Sequence, residues 1–175
     1  VGEILSILPL VEKLEKNRNI NQILITSNTL SSSKILLNLK LKKTIHQFFP
    51  IDSNYHTKKF LNYWNPSLAI FVDSEVWPNM ITAIKKRSIP LMLLNARITE
   101  RTFKKWNLFN ASAKNLFEKF DICLTSNLKS KKYLKILGAK KIKFIGNLKF
   151  SQTERNEDYL DHNLKNFFST KKNMV

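Results

Sequence analysis

The chain has 175 residues, 43% of them hydrophobic and 11% aromatic, which is enough to bury a core and excludes an intrinsically disordered chain. Its net charge of +17 points towards a polyanionic partner (nucleic acid, anionic lipid or a phosphorylated substrate). The balance of 25 Lys to 5 Arg fits compositional drift equally well, because the planar fork of Arg suits phosphate better than an ammonium does.

One cysteine, Cys123, excludes an internal disulfide and fits a reducing compartment. No apolar run has the length of a membrane span.

In chain order, EILSILPLVEKLEKN places Ile4, Leu5, Leu8, Val11 and Leu14 on one helical face. QILITS, from Gln22 to Ser27, reads as a buried strand, and SSSKILLNLKL as a helix with a Ser cap. TIHQFFP is a strand ended by Pro50, and DSNYHTKKFLNYW a helix capped by Asp52 or Ser53. SLAIFV is a strand, PNMITAIKKR a helix with Pro78 at its first position, and PLMLLNA a strand. Thr99 to Phe120 reads as one long helix, with Phe103, Trp106, Phe109, Ala113, Leu116 and Phe120 as its core-facing stripe. DICLTS is a strand, Leu128 to Leu137 a helix ended by Gly138, and KIKFIGN a last strand. Residues 1–150 are expected to form one domain, followed by a polar linker or tail at 151–175. Both ends read as those of a piece of a longer protein.

Strands that are continuously apolar and alternate with helices imply an α/β fold: an open parallel sheet with helices on both faces, Rossmann-like. Ligands of such sheets bind at the carboxyl ends of the strands. Three glycines, Gly2, Gly138 and Gly146, can write neither a GxGxxG turn nor a phosphate-binding P-loop. His46, His56 and His162 have no metal-ligand spacing, and no metal is expected.

The chemistry-bearing residues gather at strand ends. Glu75 follows SLAIFVD, Asn95 and Arg97 follow the next strand, and Arg101 opens the helix after it. Asn147 and Lys149 follow the last strand, while Gly2 and Glu3 open the first helix. Blander roles stay open for each. A Glu in a first helical turn is favoured by the macrodipole alone. Arg97 and Arg101 are able to pair structurally with Glu75 or Glu100, and Trp77 to serve as packing.

VGE before a helix, then SEVWPN, NARITERT and GNLKF, in this order and spacing, resembles the amino-terminal half of the 3-deoxy-D-manno-octulosonic acid (Kdo) transferases. The resemblance runs from Val1 to about Phe150 and includes TSNTLSSS and HQFFPID. It implies one half of a GT-B glycosyltransferase, whose amino-terminal domain holds the lipid A precursor (lipid IVA) and whose carboxyl-terminal domain holds the donor CMP-Kdo. Glu3 would be the general base of an inverting transfer. Gly2, Glu75, Asn95, Arg97, Arg101, Asn147 and Lys149 would bind substrate, with no cofactor beyond the donor. The resemblance places such a protein on the cytoplasmic face of the bacterial inner membrane, with Lys40, Lys42, Lys43, Lys58 and Lys59 as candidates to meet anionic lipid, and implies no specific nucleic acid. Asp73 stands where a Glu is more usual, and Ser151 where an Asp is. The resemblance includes a donor domain that this chain lacks, so the fragment alone is expected to be inactive. The competing reading is a non-catalytic basic α/β module that binds nucleic acid or another polyanion through charge.

Overall fold

A computed structural model describes residues 2–39 and 41–148. The expected tail at 151–175 lies outside the described residues, as do Lys40 and Lys149. The described residues fall into two compact units, one up to Pro50 and one from Ile51 onward.

In the first unit, helix α1 (Gly2–Lys16) precedes strand β1 (Ile23–Ser27), helix α2 (Leu30–Asn38) and strand β2 (Thr44–Phe48). The two strands pair in parallel, from Ile23 opposite Thr44 to Ser27 opposite Phe48. Ile4 and Val11 of α1 pack with Ile25 and Leu36 into a small core, with Ile7 against it, whereas Leu5, expected on the same face, is 45% exposed. Glu15, near the end of α1, accepts hydrogen bonds from the backbone N–H of Lys42 (3.1 Å) and Lys43 (2.9 Å) and from the Thr44 hydroxyl (2.7 Å). This carboxylate therefore fixes where the chain enters β2. Helix α2 is capped by Thr29, whose hydroxyl accepts from the Ser32 N–H, rather than by one of the serines that follow it.

The second unit runs α3 (Asn54–Trp64), β3 (Ala69–Val72), α4 (Pro78–Lys86), β4 (Leu91–Ala96), α5 (Glu100–Leu108), α6 (Asn110–Phe117), β5 (Ile122–Thr125), α7 (Leu128–Ile136) and β6 (Ile142–Phe144). Its sheet is parallel throughout, in the order β3-β4-β5-β6. Every residue of β4 is buried, as its unbroken apolar run requires in a parallel sheet. Burying each Leu or Met there is worth about 1.5–3 kcal/mol, so this strand anchors the unit. The Asp121 carboxylate accepts from the Leu91 N–H at 2.7 Å and pairs with Lys85 at 3.0 Å, fixing the strand's start. Gly138 ends α7 at φ +99°, and a Cβ there would meet the Cα of Lys114 at 2.9 Å. Only glycine meets both demands.

Thr99 to Phe120 is two helices rather than one. The chain breaks at Phe109 (φ −111°, ψ 49°), between Asn107 and Asn110, residues of poor helix propensity. Leu108 and Phe109 are consequently 80% and 70% exposed, and the expected stripe loses its middle. Ala113, Leu116 and Phe120 are buried as expected, joined by Phe117. The fold is α/β with parallel sheets, the architecture of a Rossmann-like half. Among the described residues, no helix is long and apolar enough to cross a membrane.

Candidate functional site

The carboxyl edge of the β3-β4-β5-β6 sheet is built by its backbone before any side chain acts. Past the end of β3, the Asp73 N–H donates to the Leu94 carbonyl (2.9 Å) and the Arg97 N–H donates back to the Asp73 carbonyl (3.3 Å). The two strands therefore stay locked beyond their formal ends. Two of the four non-glycine residues with positive φ among the described residues lie here, Asp73 at +60° and Asn95 at +53°. Short side chains that bond locally tolerate this left-handed region better than Glu does. That gives a physical reason for Asp at position 73, where the resemblance leads one to look for Glu.

Asn95 sits where the register of β4 against β5 shifts, between Leu93 and Ala96. The irregularity turns its buried side chain so that Oδ1 accepts from the Leu148 N–H at 3.2 Å. Asn95 therefore tethers the segment after β6, which carries Asn147 and leads into Lys149. A second tether comes from Ser130 of α7. Its hydroxyl accepts from the Ile98 N–H (2.9 Å) and donates to the Ile98 carbonyl (3.4 Å), holding the loop between Arg97 and α5.

Glu75 is half-buried, and its Oε2 accepts from the Trp77 indole N–H at 2.6 Å. Its backbone N–H closes the turn onto the Val72 carbonyl (3.2 Å). Arg97 and Arg101 are exposed, and neither forms an ion pair among the described residues. The structural pairing open to them with Glu100 is taken by Lys104 and Lys129, both at 3.2 Å. Hydrogen bonds from those two lysines, first Lys104 and then Lys129, hold the Glu100 carboxyl below its usual range.

Trp77 has no side chain able to cap α4, and the role falls to Asp52 from 27 residues earlier. The Asp52 carboxylate accepts from the N–H of Asn79 (3.0 Å) and of Met80 (2.8 Å), while the Asn79 amide donates to the Asp52 carbonyl (2.7 Å). Ser53, the other candidate, caps α3 by accepting from the His56 N–H.

In the first unit, Gly2 and Glu3 occupy the exposed first turn of α1, and the Ser6 hydroxyl donates to the Glu3 carbonyl at 2.7 Å. At the end of β1, Ser27 Oγ lies 2.8 Å from His46 Nε2, and burial pushes the imidazole pKa down. Cys123 is buried, and desolvation raises its thiol to about 12, which leaves it inert as a nucleophile. Among the described residues, no group of three or more His, Cys, Asp or Glu is placed to hold a metal.

The second unit thus brings Glu75, Asn95, Arg97 and Asn147 to one sheet edge, with Arg101 in the first turn of α5. Lys149 lies outside the described residues. Sequence reasoning missed the roles of Trp77 and Asp52. For Trp77 a signal existed, a Trp two residues after the Glu and fixed by the proline behind it. For Asp52 there was none, since its partners are far along the chain.

The model of the family described as 3-deoxy-D-manno-octulosonic-acid transferase (kdotransferase) matches residues 1–152. Among curated proteins, the 3-deoxy-D-manno-octulosonic acid transferase of Rickettsia typhi is 39% identical over 155 residues, 86% of this chain and 32% of that protein. That of Rickettsia felis is 35% identical over 151 residues, again 86% and 32%. That of Haemophilus influenzae is 26% identical over 159 residues, 90% and 37%. The chain therefore spans about a third of the length of these relatives. With the family match spanning all of the described residues, the chain belongs to the 3-deoxy-D-manno-octulosonic-acid transferase family.

Proposed function

We propose that this chain is the acceptor-binding half of a Kdo transferase of lipopolysaccharide biosynthesis, a GT-B enzyme that moves Kdo from CMP-Kdo to lipid IVA. The family match over residues 1–152, which spans all the strand-end motifs, carries this reading. On this proposal residues 1–150 form the acceptor domain, and a carboxyl-terminal domain outside this chain holds the donor.

Glu3 is the general base. Its carboxylate takes the proton of the acceptor sugar hydroxyl as that oxygen attacks the anomeric carbon from the face opposite the leaving CMP, so configuration inverts. The hydroxyl needs only modest basicity, because the carbon develops oxocarbenium character before the new bond is complete. Arg97, Arg101 and Lys149 supply positive charge to the donor carboxylate and the leaving phosphate, a role that suits two guanidinium groups with no internal partner among the described residues. Glu75, Asn95 and Asn147 hold sugar hydroxyls or keep that edge in shape, and Gly2 lets the acceptor approach the start of α1. No cofactor beyond the donor takes part. The site works at the cytoplasmic face of the inner membrane, where the protein's excess of lysine favours anionic lipid.

The test is Kdo transfer from CMP-Kdo to lipid IVA by the full-length protein. Wild type should transfer, and Glu3→Gln should bind acceptor with transfer reduced by at least about 10²-fold, the low end for a general base. The 175-residue chain alone should bind acceptor without turnover. Normal turnover by Glu3→Gln would remove Glu3 from the mechanism. Salt-sensitive binding of RNA by a protein that transfers no sugar would favour the polyanion-binding module instead.

A further inference from the structure

We propose that Trp77 is a positioning residue for Glu75: its indole N–H holds Oε2 of the carboxylate, so that Oε1 faces outward as a fixed acceptor for a sugar hydroxyl of the substrate. The nature of the ligand rests on the function proposed above. The positioning itself rests on the second unit alone.

Both ends of the Glu75–Trp77 bond are pinned. On the Glu75 side, the turn is closed by the Glu75 N–H on the Val72 carbonyl and braced by the Asp73 backbone bonds to Leu94 of β4 and to Arg97 just past it. On the other side, Trp77 precedes Pro78, and the proline ring confines the preceding residue to extended backbone, here φ −114° and ψ 99°. The Trp77 carbonyl accepts the Ile81 N–H at 2.9 Å and so starts the ladder of α4, while the N–H groups of Asn79 and Met80 before it are held by Asp52. With the two backbones fixed, only side-chain rotation is left to place the carboxylate, and the 2.6 Å bond removes it.

The chemistry of the pair fixes its direction. An indole N–H donates and cannot accept, so the oxygen facing it must be an acceptor. A bond to a charged acceptor is about twice as strong as one between neutral groups, which suits a group that must stay aimed while substrate comes and goes. Among the described residues Oε1 has no hydrogen-bond partner, so one oxygen is tethered and the other is available. An acceptor held in advance binds a hydroxyl without first losing rotational freedom.

Two measurements test this. The first needs no substrate. In the 175-residue chain with ¹⁵N-labelled tryptophan, the Trp77 indole signal is the one lost in Trp77→Phe. It should exchange slowly with solvent, then shift and exchange faster in Glu75→Ala, which leaves the indole packing in place. An unmoved signal overturns the pairing.

The second is a double-mutant cycle for sugar transfer by the full-length protein. Trp77→Phe should lower kcat/KM about tenfold in the wild-type background, mainly through KM, and by less than about twofold when Glu75 is already Ala. A purely structural Trp77 would cost the same in both backgrounds, and equal losses overturn the positioning role. A wild-type protein that transfers no Kdo would defeat the functional reading instead, and the indole signal would still decide the pairing.

Discussion

Replacing Asp52 with Ala removes the cap of a helix that begins 26 residues further on, and the cost follows from what its carboxylate holds. Losing a side-chain cap costs about 0.5–2 kcal/mol. Stranding a buried N–H costs about 1–3 kcal/mol, and Met80, whose N–H donates to Asp52 Oδ1, is only 2% exposed. Asn79 is half-buried, so its N–H can turn to water and adds little. Together these give about 2–4 kcal/mol for Asp52→Ala. Asp52→Asn, which keeps one acceptor oxygen, should cost about 1 kcal/mol. All three tryptophans, Trp64, Trp77 and Trp106, belong to the second unit, so fluorescence in urea reads that unit's unfolding without contribution from the first. At roughly 2 kcal/mol per molar urea, the midpoint should fall by roughly 1–2 M in Asp52→Ala. A fall of less than about 0.3 M would show that α4 does not depend on this cap, and the account of its start would fail.

Asn95→Ala should destabilise the same unit by about 2–4 kcal/mol, because it removes the Oδ1 acceptor of the Leu148 N–H and forces Ala into left-handed backbone. Asn95→Asp, which keeps an acceptor and tolerates that backbone, should cost far less; both are read from the urea midpoint and from exchange of the Leu148 amide. Glu15 gives a pH signature in the first unit. Burial acts to raise its pKa, but hydrogen bonds from Thr44, Lys43 and Lys42, with the Lys43 charge, outweigh this and leave it lowered from 4.5. A carboxyl that ionises more readily when folded stabilises the unit above the unfolded value and loses that contribution as pH falls through the folded one. Exchange protection of the β2 amides should therefore fall below pH 4.5, and Glu15→Gln should flatten that dependence.

The parallel sheets and the order of elements were legible because unbroken apolar runs such as PLMLLNA have few other places to go. Pro78 at the head of α4 and Gly138 at the tail of α7 were legible because each answers a local backbone demand. The helix from Thr99 to Phe120 was misread because its apolar spacing carries through Phe109, while two asparagines and exposure decide the break. Asp52 was placed beside its neighbour Ser53 because local sequence cannot show a bond to residues 27 and 28 positions away. At the site, residue types at strand ends marked Glu75, Asn95 and Arg97. Their partners were harder to read: the spacing of Trp77 from Glu75 was a signal, but sequence alone does not show whether an indole N–H bonds or its ring only packs.

The Asp52 cap also has an electrostatic consequence. The amino end of a helix is ordinarily a ready receptor for phosphate. Here that end of α4 is already neutralised by a carboxylate of the same chain. On the proposed function, an anionic substrate reaching this edge gains little from the α4 dipole and is met instead by the exposed guanidinium groups of Arg97 and Arg101. Charges in water are screened over about 8 Å at physiological ionic strength, whereas buried charges are screened much less. On that proposal, anion recognition is graded by salt and by the reach of two side chains, with discrimination left to the acceptors around it.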